Sequence, residues 1–332
     1  MEKYVPAPAR AVFNLLQTNF TADAASWEGK CIISVKQFGL ESLAKLFEVA
    51  DEMKKLVKES GGDQRLQGRL LATLFFENST RTCCSLQAAM LRLGGSVVSV
   101  NETTSSVKKG ETLQDTIACL CSYCDVVALR HPQQGAAVQA VTATRRPLIN
   151  AGDGVGEHPT QAILDVYTMV SELGGVEGKV ITLVGDLKNG RTVHSLARLL
   201  ALYACELHFV APPALRMPED VVRDVTARGR ATVTQSDAFD AVLPRADVLY
   251  VTRVQKERFE DAAEYEALRL VYRVTPEVLA RAKRDMVLMH PLPRVGEIAE
   301  DCDDDPRAAY VRQMENGMVV RMALLALLLG KA

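Results

Sequence analysis

Short apolar runs rich in β-branched residues recur along the chain at 31–38, 70–76, 96–100, 126–129, 180–184, 207–210, 248–252 and 286–290. Each has the length and composition of a buried strand. Between most of them the apolar positions change period. Leu86, Ala89, Met90 and Leu93 fall at i, i+3, i+4 and i+7 before Gly94-Gly95. Ile163, Val166, Tyr167 and Val170 repeat the pattern before Gly174-Gly175, and Val193, Leu196, Ala197 and Leu200 show it again. Such spacing lays one apolar stripe along a helix, and a following glycine ends it. Strand and helix in alternation predict an α/β fold whose parallel sheets are covered on both faces.

The alternation restarts after Gly174-Gly175, where 179–186 opens a second series. The expected architecture is therefore two doubly wound domains, each a mainly parallel sheet flanked by helices. The first spans 1–158 and the second 159–306, with a hinge beside the helix that follows His158-Pro159. From about 307 to 332 a helical stretch carries too few strand signals to extend a sheet and is expected to pack back on the first domain. No internal repeat or low-complexity segment is visible.

With 332 residues, 48% of them apolar and 24% charged, the chain has the composition of an ordinary globular protein, which excludes disordered and fibrous classes. Lys and Arg total 39 against 41 Asp and Glu, so a net charge of −2 offers no global field for nucleic acid or an anionic membrane. Any basic site must be local. The longest uncharged apolar stretch, 322–330, falls far short of the roughly 20 residues that cross a bilayer. The opening MEKYVPAPAR has no basic region followed by an apolar run, and the closing Gly-Lys-Ala matches no common sorting signal. A cytoplasmic, free-standing chain is the expectation. The eight cysteines lack the spacing of a disulfide framework, so reduced thiols are expected. Cys119, Cys121 and Cys124 suggest zinc, but they lie in an apolar helical stretch with no second ligand pair at metal-site spacing.

Candidate chemistry gathers where runs end. The run 70–76 leads through Glu77 into Asn78-Ser79-Thr80-Arg81-Thr82 and then directly into a helix. Free amides, the positive end of the helix dipole, hydroxyls and a guanidinium make a phosphate cradle there, while an ordinary N-cap is the plainer alternative. Gly185-Asp186-Leu187-Lys188-Asn189-Gly190-Arg191-Thr192 imitates the G-x-x-x-x-G-K-[ST] nucleotide loop, with Arg for Lys. Asp186 would repel phosphates inside such a loop, so a turn presenting Arg191 to a small acid fits better. Arg130-His131-Pro132 ends another run, and His158-Pro159-Thr160-Gln161 opens a helix that sets His158 and Gln161 one turn apart. Such a histidine is commonly a satisfied cap, and the same holds for His194 and His290. The stretch 252–258 has a charged surface turn as its plainer reading, with Glu257 neutralising arginines, and Lys108-Lys109-Gly110 a solvated loop.

Taken together, FENSTRT at 76–82, SSVKKGET at 105–112, RHPQ at 130–133, NAGDGVGEHPTQ at 150–161, VGDLKNGRTVHSL at 184–196, TRVQKER at 252–258 and HPLPR at 290–294 resemble the aspartate carbamoyltransferases, in the family's order across nearly the whole chain. The words are closest in style to the eukaryotic type. The resemblance implies transfer of the carbamoyl group from carbamoyl phosphate to the amine of L-aspartate in pyrimidine synthesis. It further implies a catalytic homotrimer with sites shared between subunits, and no metal or cofactor.

The same resemblance implies roles. Ser79, Thr80, Arg81 and Thr82 would hold the phosphate. Thr82, Arg130 and His158 would surround the carbamoyl oxygen, with Gln161 at its amide nitrogen. Arg191, Arg253 and Gln255 would clamp the aspartate carboxylates, with Leu292 and Pro293 completing the substrate site. Leu292 would touch both substrates, and Ser105 and Lys109 would arrive from the neighbouring subunit. Glu77 would bridge the domains toward Arg191 and Arg258. An ornithine-using relative is the nearest rival, but Thr252-Arg253-Val254-Gln255 and His290-Pro291-Leu292-Pro293 stand where that branch carries other words, and two arginines would repel an ammonium. An idle scaffold that keeps the fold is disfavoured by the intact motif residues.

Overall fold

The structure, a computed structural model, describes residues 20–101 and 106–332. The chain divides into two compact units. One runs to Ile163 and resumes at Glu315–Ala332, and the other is Leu164–Met314. Both divisions fall within helices, Pro159–Leu173 and Tyr310–Leu328.

The first unit is built on four parallel strands, β1 (Leu70–Phe75), β2 (Ser96–Asn101), β3 (Val126–His131) and β4 (Leu148–Asp153), in the order β2-β1-β3-β4. Five of the six β1 residues are buried, as a strand covered on both faces requires, whereas the edge strand β2 has four exposed positions and two half-buried ones. Ala72, Leu74, Val127, Leu129 and Leu148 pack with Ile117, Leu120, Ala137 and Ala140 from the flanking helices. Cys121 and Cys124 belong to this apolar cluster.

The second unit holds five parallel strands, β5 (Val180–Gly185), β6 (Glu206–Val210), β7 (Thr232–Ser236), β8 (Val248–Thr252) and β9 (Val287–Met289), ordered β7-β6-β5-β8-β9. Its core joins Val184, Val210, Leu249, Val251 and Leu288 to Val274, Leu279 and Ile298. Helix Arg191–Leu200 buries the expected stripe of Val193, Leu196, Ala197 and Leu200.

Three elements differ from the sequence expectation. The run 31–38 forms no strand; Ile32 makes a single bridge to Ile149, and Val35–Gln37 turns as a 3-10 helix under a capping box from Ser34 and Gln37. Conversely, β4 and β7 were not among the expected runs. The β4 sequence LINAGD carries Asn and Gly, and the β7 sequence TVTQS is a polar edge.

The topology fixes where function can sit. In each sheet the strand order reverses once, between β1 and β3 and between β5 and β8. Beyond the carboxyl ends of such a pair the connections leave in opposite directions and open a crevice.

Candidate active site

Beyond β1 the chain passes Phe76, Glu77 and Asn78 and enters helix Thr80–Arg92. Ser79 occupies the N-cap, yet its side chain makes no capping hydrogen bond, unlike Thr112, Asp261 and Thr275 at other helix starts. The leading amides are therefore not satisfied by the residue best placed to satisfy them, which suits an incoming anion. Burial lowers the proton affinity of the Arg81 guanidinium below the ordinary arginine value, a cost that a bound anion would offset.

Thr82 is buried on the first turn of this helix, and its hydroxyl lies 3.4 Å from Nε2 of His158, itself buried at the start of the helix from Pro159. Arg130 ends β3 next to β1, where its carbonyl accepts from the Phe76 amide at 2.9 Å. Arg130 is 8% exposed, and its guanidinium donates to Glu77 Oε1 at 2.8 Å and to the Ala151 carbonyl at 3.3 Å. Glu77 thus engages Arg130, a partner that motif reading did not supply. Gln161 is half-buried one turn after His158.

The loop that delivers His158 is fastened by carboxylates that motif reading passed over. Asp153 Oδ1 accepts from the Glu157 amide at 2.8 Å and Oδ2 from the Gly135 amide at 2.9 Å. Glu157 accepts from the Ser34 hydroxyl at 2.6 Å and the Val35 amide at 2.8 Å. Gly154 has φ +56°, and a Cβ there would sit 2.4 Å from the Pro132 carbonyl oxygen, so only glycine fits. The acidic residues spaced among glycines in DGVGE were the available signal.

Lys109 is exposed at the end of the 3-10 turn Ser106–Lys109, and Ser105 lies outside the described residues.

In the second unit the chain leaves β5 through Gly185, whose φ is +121° and whose hypothetical Cβ would sit 2.0 Å from the Thr252 carbonyl oxygen of β8. The interior of the following loop is filled by Asp186, which is fully buried. Its carboxylate accepts from the Asn189 amide at 3.0 Å, the Asn189 side chain at 3.1 Å and the Gln255 amide at 3.3 Å. A loop occupied by its own carboxylate cannot cradle a nucleotide phosphate, which accounts for the misleading likeness to that motif. His194 Nε2 donates to the Leu187 carbonyl at 2.7 Å, and burial lowers its pKa, so it holds the loop as a neutral ring.

This construction places half-buried Arg191 at the helix start just beyond β5, and Arg253 and Gln255 just beyond β8. Arg253 pairs with Glu257 through Nη1 at 3.1 Å and Nη2 at 2.5 Å. The hydrogen bond to Glu257 raises the Arg253 pKa, and the same bond lowers that of Glu257. Beyond β9, His290 is buried; its Nδ1 accepts from the Leu292 amide at 2.7 Å, so Nε2 carries the proton and donates to Glu297 at 2.6 Å. Leu292 has φ +57°, and the Leu292-Pro293 bond is cis. Arg294 pairs with Asp303.

Each unit therefore presents a cationic site at its own reversal of strand order, one assembled around an uncapped helix start and one around arginines at strand ends. Comparison with known proteins identifies the family to which this arrangement belongs. Residues 30–171 match the carbamoyl-P binding domain model of the aspartate/ornithine carbamoyltransferases, and 177–328 match the Asp/Orn binding domain model of the same group. The chain belongs to the aspartate/ornithine carbamoyltransferase family.

Among curated relatives, it is 53% identical over 326 residues to the multifunctional protein pyr1-3 of Dictyostelium discoideum, covering 97% of this chain but 15% of that protein. The chain thus spans only a small part of the multifunctional relatives it matches. It is 48% identical over 308 residues to the aspartate carbamoyltransferase catalytic subunit of Methanopyrus kandleri, covering 92% of this chain and 99% of that one. Among solved structures, aspartate transcarbamoylase from Trypanosoma cruzi in complex with carbamoyl phosphate and aspartate superposes with a TM-score of 0.88 at 45% identity, over 92% of this chain and 98% of that one. The same enzyme has been solved with carbamoyl aspartate and phosphate, at a TM-score of 0.87 and 46% identity over 92% and 98% of the two chains.

Proposed function

We propose that this chain transfers the carbamoyl group of carbamoyl phosphate to the amine of L-aspartate, giving N-carbamoyl-L-aspartate and phosphate. The observation that carries the reading is the pair of switch-point sites with unlike chemistry: an uncapped helix start beside Thr82, Arg130 and His158, and an arginine site at 191 and 253 suited to a dicarboxylate. Ornithine would bring an ammonium to that second site, where like charges oppose it.

In this reading Ser79, Thr80, Arg81 and Thr82 bind the phosphate, and Thr82, Arg130 and His158 donate to the carbamoyl oxygen as the amine attacks, with Gln161 at the carbamoyl nitrogen. A C–N bond forms, the bond from carbon to the phosphate oxygen breaks, and the departing phosphate takes the amine proton. Carbamoyl phosphate is already activated, so oriented reactants and donors at the developing oxyanion suffice, and positioning alone can supply about 7–11 kcal/mol. Arg191, Arg253 and Gln255 hold the aspartate carboxylates, and Leu292 and Pro293 present the backbone of their turn to the substrates.

The remaining parts of the proposal are a homotrimer, a cytoplasmic location and a Lys109 that serves, with Ser105, a neighbouring copy's site. The exposed position of Lys109 supports the last point. All eight cysteines are free thiols, as a reducing compartment favours, and among the described residues no helix is long and apolar enough to cross a membrane.

A colorimetric assay of the pure chain with aspartate and ornithine in parallel tests the reaction; product from ornithine alone would reject it. Arg81→Ala should weaken carbamoyl phosphate binding by about 10–100-fold in calorimetry, and unchanged affinity would remove Arg81 from the cradle. Mixing Lys109→Ala with His158→Ala under subunit exchange should restore part of the activity; exchanged mixtures that stay inactive would place Lys109 in its own copy's site or outside catalysis.

A further inference from the structure

The second unit contains a buried polar chain that none of the substrate-binding roles uses. Asp165, on the helix from Pro159, is fully buried, as is Tyr250 in β8, and Gln313 is 2% exposed. The Tyr250 hydroxyl donates to Asp165 Oδ2 at 2.8 Å, and Gln313 Nε2 donates to Oδ1 at 2.6 Å. The Thr192 hydroxyl hydrogen-bonds the same phenol. Gln313 Oε1 accepts from the His290 amide at 3.0 Å. Because a backbone N–H can only donate, that bond fixes the glutamine's orientation and turns its NH2 group toward Asp165.

Each branch of this chain ends beside a substrate-binding element. Thr192 is the neighbour of Arg191. Tyr250 lies on the strand that delivers Arg253. His290 receives the Leu292 amide and so holds the turn in which Leu292 adopts its left-handed φ. A carboxylate is the group this junction needs, since it offers acceptors on both oxygens to two donors approaching from different elements. Buried polar networks of this kind are costly when half satisfied and rigid when complete.

The geometry points to Asp165 as a positioning residue for the aspartate half-site: through Tyr250 and Gln313 it sets the strand ahead of Arg253 and the turn at 290–293 in one register. Asp165 touches no substrate. The inference rests on the proposed reaction, and it deepens that reading by naming what aligns the dicarboxylate-binding groups.

Gln313→Glu sets one carboxylate oxygen against another and should raise the aspartate KM at least about tenfold, with carbamoyl phosphate affinity in calorimetry held within about twofold. Adding Asp165→Asn reverses the polarity of the bond, because the new amide can donate to the new carboxylate while still accepting from Tyr250. The double variant should return to within about threefold of the native aspartate KM. Tyr250→Phe removes a single branch and should raise that KM about threefold without loss of fold by circular dichroism.

A folded Gln313→Glu protein with native aspartate KM overturns the inference, as does a double variant no better than the single one. Should Gln313→Glu fail to fold, the double variant must fold and bind aspartate normally, and its failure is equally decisive. A native chain that makes no carbamoyl aspartate rejects the proposed reaction. An active native chain whose aspartate KM ignores these substitutions rejects this inference alone.

Discussion

At the reversal of the first sheet Thr82, Arg130 and His158 are buried and the helix start is left uncapped, while at the reversal of the second the principal arginine is partly exposed and paired within its own loop. Arg130 has 10% of its side chain exposed and is held by Glu77 on the adjoining strand end. Arg253 has 26% exposed and is held by Glu257 four residues on, within its own loop. The first arrangement is fixed by two strands of a sheet, and the second by a local turn. In the proposed reaction each site thus brings an arginine already paired with a carboxylate, the donor's held in the core and the acceptor's at a partly exposed loop. Electrostatics inside the core are strong and poorly screened; at a loop they compete with water and salt.

The comparison can be broken most severely at Arg130. Arg130→Ala removes a buried donor from the first site, and kcat should fall about 10²–10³-fold in steady-state assays, more than any single change in the second unit. Arg253→Ala should raise the aspartate KM about 10–100-fold, because it removes the clamp and frees the Glu257 charge, while carbamoyl phosphate affinity measured by calorimetry stays near native. Gly185→Ala forces a Cβ against the Thr252 carbonyl and should cost about 2 kcal/mol, read as a Tm lower by several degrees. Raising salt from about 50 to 500 mM should weaken aspartate binding about threefold and carbamoyl phosphate binding less; equal weakening would erase the contrast between the sites.

The smallest expected effect concerns acid. Burial pushes the Glu297 carboxyl upward, but the hydrogen bonds it accepts from His290 and from the Val295 amide outweigh this, and its pKa falls below the ordinary 4.5. A group depressed in the folded state stabilises above its unfolded pKa and loses that contribution as pH drops through the folded value. Glu297→Gln should therefore show a shallower loss of Tm below about pH 4.5 than the native protein. A parallel loss would remove the pair from the acid response.

Much of this was legible in the sequence because local rules and tertiary structure agree there. The strand, hydroxyl-rich turn and helix around Ser79–Thr82 are contiguous, and the amphipathic stripe at Val193, Leu196, Ala197 and Leu200 is buried as its period requires. The carboxylate in the loop after β5 argued against a phosphate site, and Asp186 fills that loop. Other features depend on partners far away in the chain. The run 31–38 looks like a strand by composition but meets the sheet at one bridge. Edge strand β7 has little apolar content because its positions are half-buried or exposed. Asp165 and Gln313 are separated by 148 positions, and each alone looks like a polar residue on a solvated helix face.

The discontinuous make-up of the first unit has a consequence for biosynthesis. Its segment 315–332 supplies a helix end whose residues from Val319 to Leu328 are buried, and the Leu328 carbonyl accepts from the Gly29 amide at 3.0 Å. That segment emerges only after the second unit has been made in full. About 150 residues at ~5–20 residues per second correspond to a delay of roughly 8–30 s, during which the first sheet exists without the helix that completes its core. The unit translated second can thus reach its folded state first, and the nascent first unit is the stretch that a chaperone would have most time to meet.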